Sequence, residues 1–512
     1  MLRESAIRKM IPGRLGWATI ACLTGIGAFF VMALNLAPRK LVTADSLPIM
    51  VVGVGFGLLL LFGLSSVMLR QQDRAATVYR LALLIWWFVL ICEALFDRTG
   101  ETSQSSQGNF SSAAYGEGAM WMLAFVFIVI ISLQYRGYFR DLFTGGKKWV
   151  TLIALVCGLS VPLSPGKLYS AAWAFKLGLI VLMLHLASSV MNKLEDILVF
   201  LKFTLWAFVI LSVLPTAMAL SDPRTAFGGV GGRLDAGPDA TTMTAAALML
   251  MSVIMFSLEK KLIYVFTGLT GITVMLLCLG KTGNLAGIFS AMLFLALQRK
   301  FFRSVGLLLA IVAVAAVIFS VTPLADHLES YQGASTLTGR TIIWAKGIEG
   351  IKQSPIWGHG YLASYFAFEE TKGSKDLKQH ALNLHNGFLE VTYNNGLIGL
   401  FLLLMIHFWI LRNVFKSMKM ASALRDRSPG DQKVNRAYLM AVGFLALYAN
   451  LFLNGLLNVA FGGKPANSYM LFLALFFMSE CLFRRIEEMV QGSGSRARLW
   501  RAEWQPLSPL AE

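Results

Sequence analysis

The stretch HALNLHNGFLEVTYNNGLIGL, residues 380–400, opens on two histidines and closes inside an apolar run. That run continues to about residue 412, enough to cross a hydrocarbon core as a helix. The stretch therefore reads as a polar segment feeding a membrane helix. Runs of the same kind recur along the 512-residue chain. Expected spans fall at 15–36, 47–69, 78–96, 118–135, 148–164, 168–190, 194–219, 242–258, 262–280, 283–298, 304–323, 396–412, 437–460 and 466–483, about fourteen in all. The composition agrees: 56% of residues are hydrophobic and only 14% charged, where a soluble chain carries roughly 25% charged. Mean hydropathy is +0.64. The expected fold class is an all-α integral membrane protein.

The net charge of +17 has a topological explanation. The loops form two alternating sets, and the basic excess lies in the set holding the N-terminus, 70–80, 135–148, Lys193, Lys260–Lys261, 298–304, 412–436 and the C-terminal tail. By the positive-inside rule that set is cytoplasmic, with both termini. An even number of spans agrees. Nothing in this pattern calls for nucleic acid. The five cysteines lie in apolar runs, so no disulfide framework is expected in an outer loop.

Three regions are expected: an N-terminal bundle at 1–219, a core at 220–412, and C-terminal spans with a tail at 413–512. The outer loops are unequal. Residues 97–117 are Ser-rich, residues 220–241 are Gly-rich, and 324–395 form one long loop, a length that usually marks function. Within the long loop GRTIIWAKGIEGIKQSP places Ile343, Trp344, Gly347, Ile348 and Ile351 at helical spacing before Pro355. This predicts an amphipathic helix on the outer surface. IWGHGYLASYF, which follows, reads as a glycine-pinned turn flanked by aromatics.

Candidate chemistry gathers on these loops. Asn386 is a good N-cap, so His385 sits at a helix N-terminus, which disfavours imidazolium and suits a base near neutral pH. The alternative is an interfacial polar anchor. The sequence holds only six histidines, yet His380, His385 and Glu390 cluster within eleven residues. Arg233 and Arg340 lie in Gly-containing contexts, GGRL and TGRT, where a guanidinium can grip phosphate bidentately; Arg224 has the same chemistry in a less Gly-rich setting. Each can equally be solvated loop charge. Lys281, in CLGKTGNLAG, stands at the outer mouth of two spans. Lys176 lies near the middle of one, where an ionisable residue marks function unless it snorkels outward. Lys202 is expected to snorkel. No outer loop carries a D-x-D pair or a metal-spaced cluster, and no phosphate loop of the nucleotide-binding types is present. No cofactor is expected.

Taken in order, GRL after a span, GKT at a hairpin, TGRTIIW, WGHGY and HNGFLEVTYNNGLIGL resemble the O-antigen ligase/polymerase superfamily, across roughly residues 220–412. The resemblance implies a bacterial inner-membrane enzyme acting at the periplasmic face on polyprenyl-diphosphate-linked glycans. His385 of the HN pair would be the catalytic base, with Asn386 and Glu390 beside it. Arg233 and Arg340, then Lys281, Arg224 and Lys176, would hold the diphosphate. Lys281 departs from the family, which often has Arg there, and LDAGPDATT departs from a G-x-x-x-N-P-N pattern. The implied partners are the lipid-linked glycan, the bilayer, and chain-length and export proteins. The expected activity is polymerisation of repeat units, with ligation to lipid A-core as the alternative and a lipid-linked glycan flippase as the rival class. A transporter needs a charged path open on both sides; an enzyme needs it on one.

Overall fold

The computed structural model describes residues 78–80, 82–87, 89–90, 121, 124–125, 128, 138–220, 238–298, 301–321, 340–367 and 383–492. The expected spans 15–36 and 47–69, most of 78–96 and 118–135, the loop 97–117, most of 220–241 with Arg224 and Arg233, and His380 lie outside the described residues. Every regular element among the described residues is helical, and apart from the short helical turns Tyr138–Asp141, Val161–Leu163 and Ser364–Ala367 they are α1 (Lys147–Leu159), α2 (Lys167–Val190), α3 (Leu194–Leu220), α4 (Pro238–Glu259), α5 (Ile263–Cys278), α6 (Lys281–Leu297), α7 (Phe301–Val321), α8 (Arg340–Gln353), α9 (Gly387–Arg427), α10 (Gln432–Leu457) and α11 (Asn467–Gly492). Among the described residues five helices are long and apolar enough to cross a membrane: Lys167–Val190, Leu194–Leu220, Ala240–Glu259, Gly387–Arg427 and Gln432–Leu457. They coincide with the expected spans beginning at 168, 194, 242, 396 and 437. Ile263–Cys278 and Lys281–Leu297 are shorter apolar helices at two more expected positions.

Helix α4 is the core of the bundle. Its residues 245–251 are all buried, and it packs on α3, α5, α6 and α10. Apolar surface gives little drive for association in lipid, so close backbone approach carries the packing. Gly271 of α5 shows this: a Cβ there would lie 2.9 Å from the Ala245 carbonyl oxygen and the Met249 nitrogen. Lys202, expected to snorkel, reaches the end of a neighbouring helix. It ion-pairs with Glu259 at the end of α4, which also holds Lys261 at 3.0 Å and accepts the Tyr264 hydroxyl at 2.9 Å.

The opening stretch becomes the first part of α9, and a kink divides that helix. Gly396 takes φ 63° and ψ −164° inside it. The loop after α8 satisfies the backbone groups that the break releases: His359 and Gly360 donate their amides to the carbonyls of Tyr393 and Asn394 at 3.0 and 2.8 Å, and Leu397 donates to the Pro355 carbonyl at 2.8 Å. Such pairing is what permits a broken helix at membrane depth. Only glycine fits the break, because a Cβ at Gly396 would meet the Ile356 carbonyl oxygen at 2.0 Å. The expected turn at WGHGY is thus the clamp on the kink, with Gly358 and Gly360 at φ 69° and 100°.

Helix α8 forms where the spacing predicts and ends before Pro355. Its inward face is Ile343, Gly347 and Gly350, which pack on Leu384 and Tyr393. Ile348 departs from the expectation and is exposed. It lies about 140° around the helix from Ile343 at 3.6 residues per turn, so Gly350 takes the inward place. The helix therefore rests on the start of α9, which fixes where its first residue, Arg340, can reach.

Candidate active site

Asn386 caps α9 as expected. Its Oδ1 accepts the amides of Phe388 and Leu389, both at 3.0 Å, which satisfies two of the orphan donors of the first turn. Its Nδ2 donates to the Leu456 carbonyl at 2.9 Å. The side chain therefore holds the helix start against the end of α10. His385, just before the cap, has φ 47°, a left-handed conformation that costs a non-glycine residue about 1–3 kcal/mol and persists only where surroundings enforce it. Here the Asn383 side chain accepts the His385 amide at 2.9 Å.

The imidazole is oriented by a residue from another helix. His385 Nδ1 lies 3.1 Å from Asn458 Oδ1, and Asn458 is the buried residue that ends α10. With the amide oxygen as acceptor, Nδ1 carries the proton and Nε2 carries the lone pair. Arg340 arrives from the other side, donating Nη1 to the Leu457 carbonyl. One turn along α8, Trp344 Nε1 donates to the Leu384 carbonyl at 2.8 Å. His385, Asn386 and Arg340 thus converge on three consecutive residues, Leu456, Leu457 and Asn458.

Glu390 lies beneath this group, fully buried. Its carboxylate accepts the Leu384 amide at 3.0 Å, the Asn394 amide group at 3.2 Å and the Ser364 hydroxyl. It ties together the residue before His385, the loop after α8 and the turn before the kink. Asn394 Oδ1 accepts the Ser364 amide at 2.9 Å, and Asn395 Oδ1 accepts the Ser160 hydroxyl at 2.9 Å. Tyr361 joins the same layer through its hydroxyl, which donates to the Gly463 carbonyl at 3.1 Å. Burial pushes the Tyr361 phenol well above its ordinary value, so it remains a donor.

Two lysines share an aromatic seat. Lys176, 3% exposed, keeps its ammonium 4.6 Å from the Trp121 ring centroid and 4.2 Å from that of Trp173. Lys464 places its own 4.2 Å from the same Trp173 ring. Rings of this kind stabilise a desolvated cation, so Lys176 is held within the fold. Lys464 follows Gly463, which accepts from Tyr361, so this cation adjoins the Glu390 layer. Lys281 is exposed on the first residue of α6. Since α6 and α10 pack together and their other ends meet at a common cavity, Lys281 stands at the same end of the bundle as His385. Among the described residues no three His, Cys, Asp or Glu side chains are grouped to hold a metal.

Asn458 and Lys464 join the candidate site by geometry alone, and the sequence reading did not single them out. A signal existed for each: Asn458 is polar inside the expected span 437–460, and Lys464 lies in FGGKP at a gap between spans. Their partners are remote in sequence, and no local pattern records that.

Residues 246–404 match a family model described as O-Antigen ligase. His385, Asn386, Glu390, Arg340 and Lys281 fall inside that range; Lys176, Asn458 and Lys464 do not. A stretch of 81 residues is 42% identical to the "Exopolysaccharide production protein ExoQ" of Rhizobium meliloti (strain 1021). This match covers 14% of the chain and 18% of that relative.

Proposed function

From the match of residues 246–404 to the O-Antigen ligase family model we propose that the chain is a member of the O-antigen ligase/polymerase superfamily and a membrane glycosyltransferase that polymerises polyprenyl-diphosphate-linked repeat units into a surface polysaccharide. The observation that carries the reading is the convergence of Arg340, His385 and Asn386 on the end of α10. In this reading His385 Nε2 takes the proton of an acceptor hydroxyl, whose oxygen attacks the anomeric carbon of the donor glycan. The bond from that carbon to the phosphate oxygen breaks, and the diphosphate leaves on its lipid. General-base help is worth roughly 10²–10⁴ in rate. Each preorganised group that meets developing charge is worth about 10²–10³. Arg340, Lys281 and Lys464, with Arg233 and Arg224, are assigned to the diphosphate, so the reaction is metal-independent; Lys176, enclosed by Trp121 and Trp173, acts on that group from within the fold rather than by contact. Asn458 and Glu390 are positioning residues.

The same reading puts this end of the bundle at the periplasmic face of a bacterial inner membrane, with about fourteen spans, both termini cytoplasmic, and loops 220–241 and 324–395 on the outer side. The donor's lipid tail holds its diphosphate at the membrane boundary, which accounts for a histidine at the head of a membrane helix. Chain-length and export proteins are the expected partners. The relative named for exopolysaccharide production favours polymerisation. The family description, O-Antigen ligase, supports ligation as the second reading, for which lipid A-core is the acceptor we propose.

The test offers purified protein a polyprenyl-diphosphate-linked repeat unit, with a chelator, without nucleotide, and with lipid A-core as competing acceptor. A ladder of lengthening glycans supports the polymerase. Single transfer to lipid A-core supports the ligase. Absence of both products from a substrate that a known polymerase elongates refutes the proposal.

A further inference from the structure

The end of the bundle away from His385 holds a cavity of about 1070 Å³. It lies between the last residues of α4 and α6, the start of α7, and the connection from α9 to α10. From Leu397 to Arg425 the helix rises about 42 Å at 1.5 Å per residue, so the cavity opens at the opposite membrane face. Four cations line it: Lys260, Arg303, Arg425 and Arg436. Asp426 is the one carboxylate in its lining among the described residues.

A basic excess at this face is what the positive-inside rule requires for topology alone. Two observations go beyond that. First, the cations come from four helix ends and meet at one concave site; charge needed only for topology has no reason to converge. Second, the cations are arranged in different ways. Lys260 donates to the Ser257 carbonyl at 2.7 Å and closes α4 with φ 57°. The Arg425 guanidinium lies 4.1 Å from the Tyr438 ring centroid, which stiffens it without neutralising it. Arg303 and Arg436 form no ion pair with Asp426 or any other carboxylate among the described residues. Leu258, Leu297 and Leu439 line the same cavity, so the cationic groups border an apolar wall.

A cationic group beside leucines, at a membrane boundary, fits an amphiphile with a phosphate head. We propose that this cavity holds the phosphodiester headgroup of an anionic phospholipid from the leaflet at that face. The phosphate lies on Arg303, Arg425 and Arg436, and the glycerol and first acyl carbons lie against the leucines. The lipid joins the ends of α4, α6, α7, α9 and α10. This site is separate from the donor diphosphate of the proposed reaction, and neither proposal depends on the other.

The test uses the full chain in nanodiscs of phosphatidylcholine with added phosphatidylglycerol, and counts retained lipids by native mass spectrometry. Wild type is expected to retain phosphatidylglycerol over phosphatidylcholine. A charge-assisted hydrogen bond to a phosphate oxygen is worth about tenfold in affinity, so Arg303→Gln with Arg436→Gln is expected to lower retention about 100-fold. The control, Arg427→Gln with Lys433→Gln, removes equal charge from the same face outside the cavity lining, and is expected to change retention little. Equal loss in both doubles would overturn the proposal in favour of diffuse surface charge. So would an absence of lipid preference in wild type, or displacement of the lipid by millimolar inorganic phosphate, which would make the site one for soluble phosphate. Should the double variant not fold, Arg303→Gln alone, at an exposed position, carries the same test with an expected loss of about tenfold.

Discussion

The two parts of α9 on either side of Gly396 belong to one helix and face different surroundings. From Gly387 to Asn395 the side chains are buried or half-buried, and Glu390, Asn394 and Asn395 bond to other segments. Beyond the kink Leu397, Phe401, Leu404, Phe408 and Phe415 are exposed, as suits a surface facing lipid. The first part is specified by hydrogen bonds of defined direction. The second has a buried face, on which His407 bonds the Tyr448 hydroxyl at 3.0 Å, but its exposed face needs only apolar character and length. The difference teaches that this protein builds its site by interrupting a membrane helix, which frees backbone groups for a second loop to grip.

Substitutions should therefore be felt very differently in the two parts. The largest effect is expected at the division itself. Gly396→Ala adds about 1–3 kcal/mol of backbone strain and a collision with the Ile356 carbonyl, so folded yield in detergent should fall sharply. A normal yield and melting temperature would mean that the kink is not built as described. Next is Glu390→Ala, which leaves the Leu384 amide, the Ser364 hydroxyl and the Asn394 amide group without their acceptor, each at about 1–3 kcal/mol when buried. Glu390→Gln keeps the shape and should lose less. Equal melting temperatures for wild type and Glu390→Ala would remove the carboxylate from its organising role. The smallest effect is expected past the kink: Leu404→Met should stay within about 0.5 kcal/mol of wild type, and a large loss would show that face to be packed on protein.

Sequence and structure agree where local rules suffice. Pro355 ends α8, Asn386 caps α9, the glycines of WGHGY form a turn, and the apolar periodicity places five spanning helices. The expected span at 396–412 even begins at the residue where the helix breaks. That NNG would break a helix rather than simply precede one was not legible, because the break is stable only through the loop from Pro355 to Gly360. Lys176 illustrates the same limit: its place in a span was plain and Trp173 lies one turn before it on α2, but Trp121, the other ring over its ammonium, comes from a remote part of the chain. Asn458 orients His385 across 73 residues, and a pattern read within one helix carries no record of that pairing.

The central claim is that His385, aimed by Asn458, is the general base. Its most direct test is the turnover of His385→Ala on the lipid-linked donor, with and without added imidazole, beside Asn458→Ala. The account predicts a loss of roughly 10²–10⁴ for His385→Ala, partly restored by imidazole, and a smaller loss for Asn458→Ala that imidazole does not restore. Turnover of His385→Ala within twofold of wild type, in protein that is folded and binds donor, would contradict it.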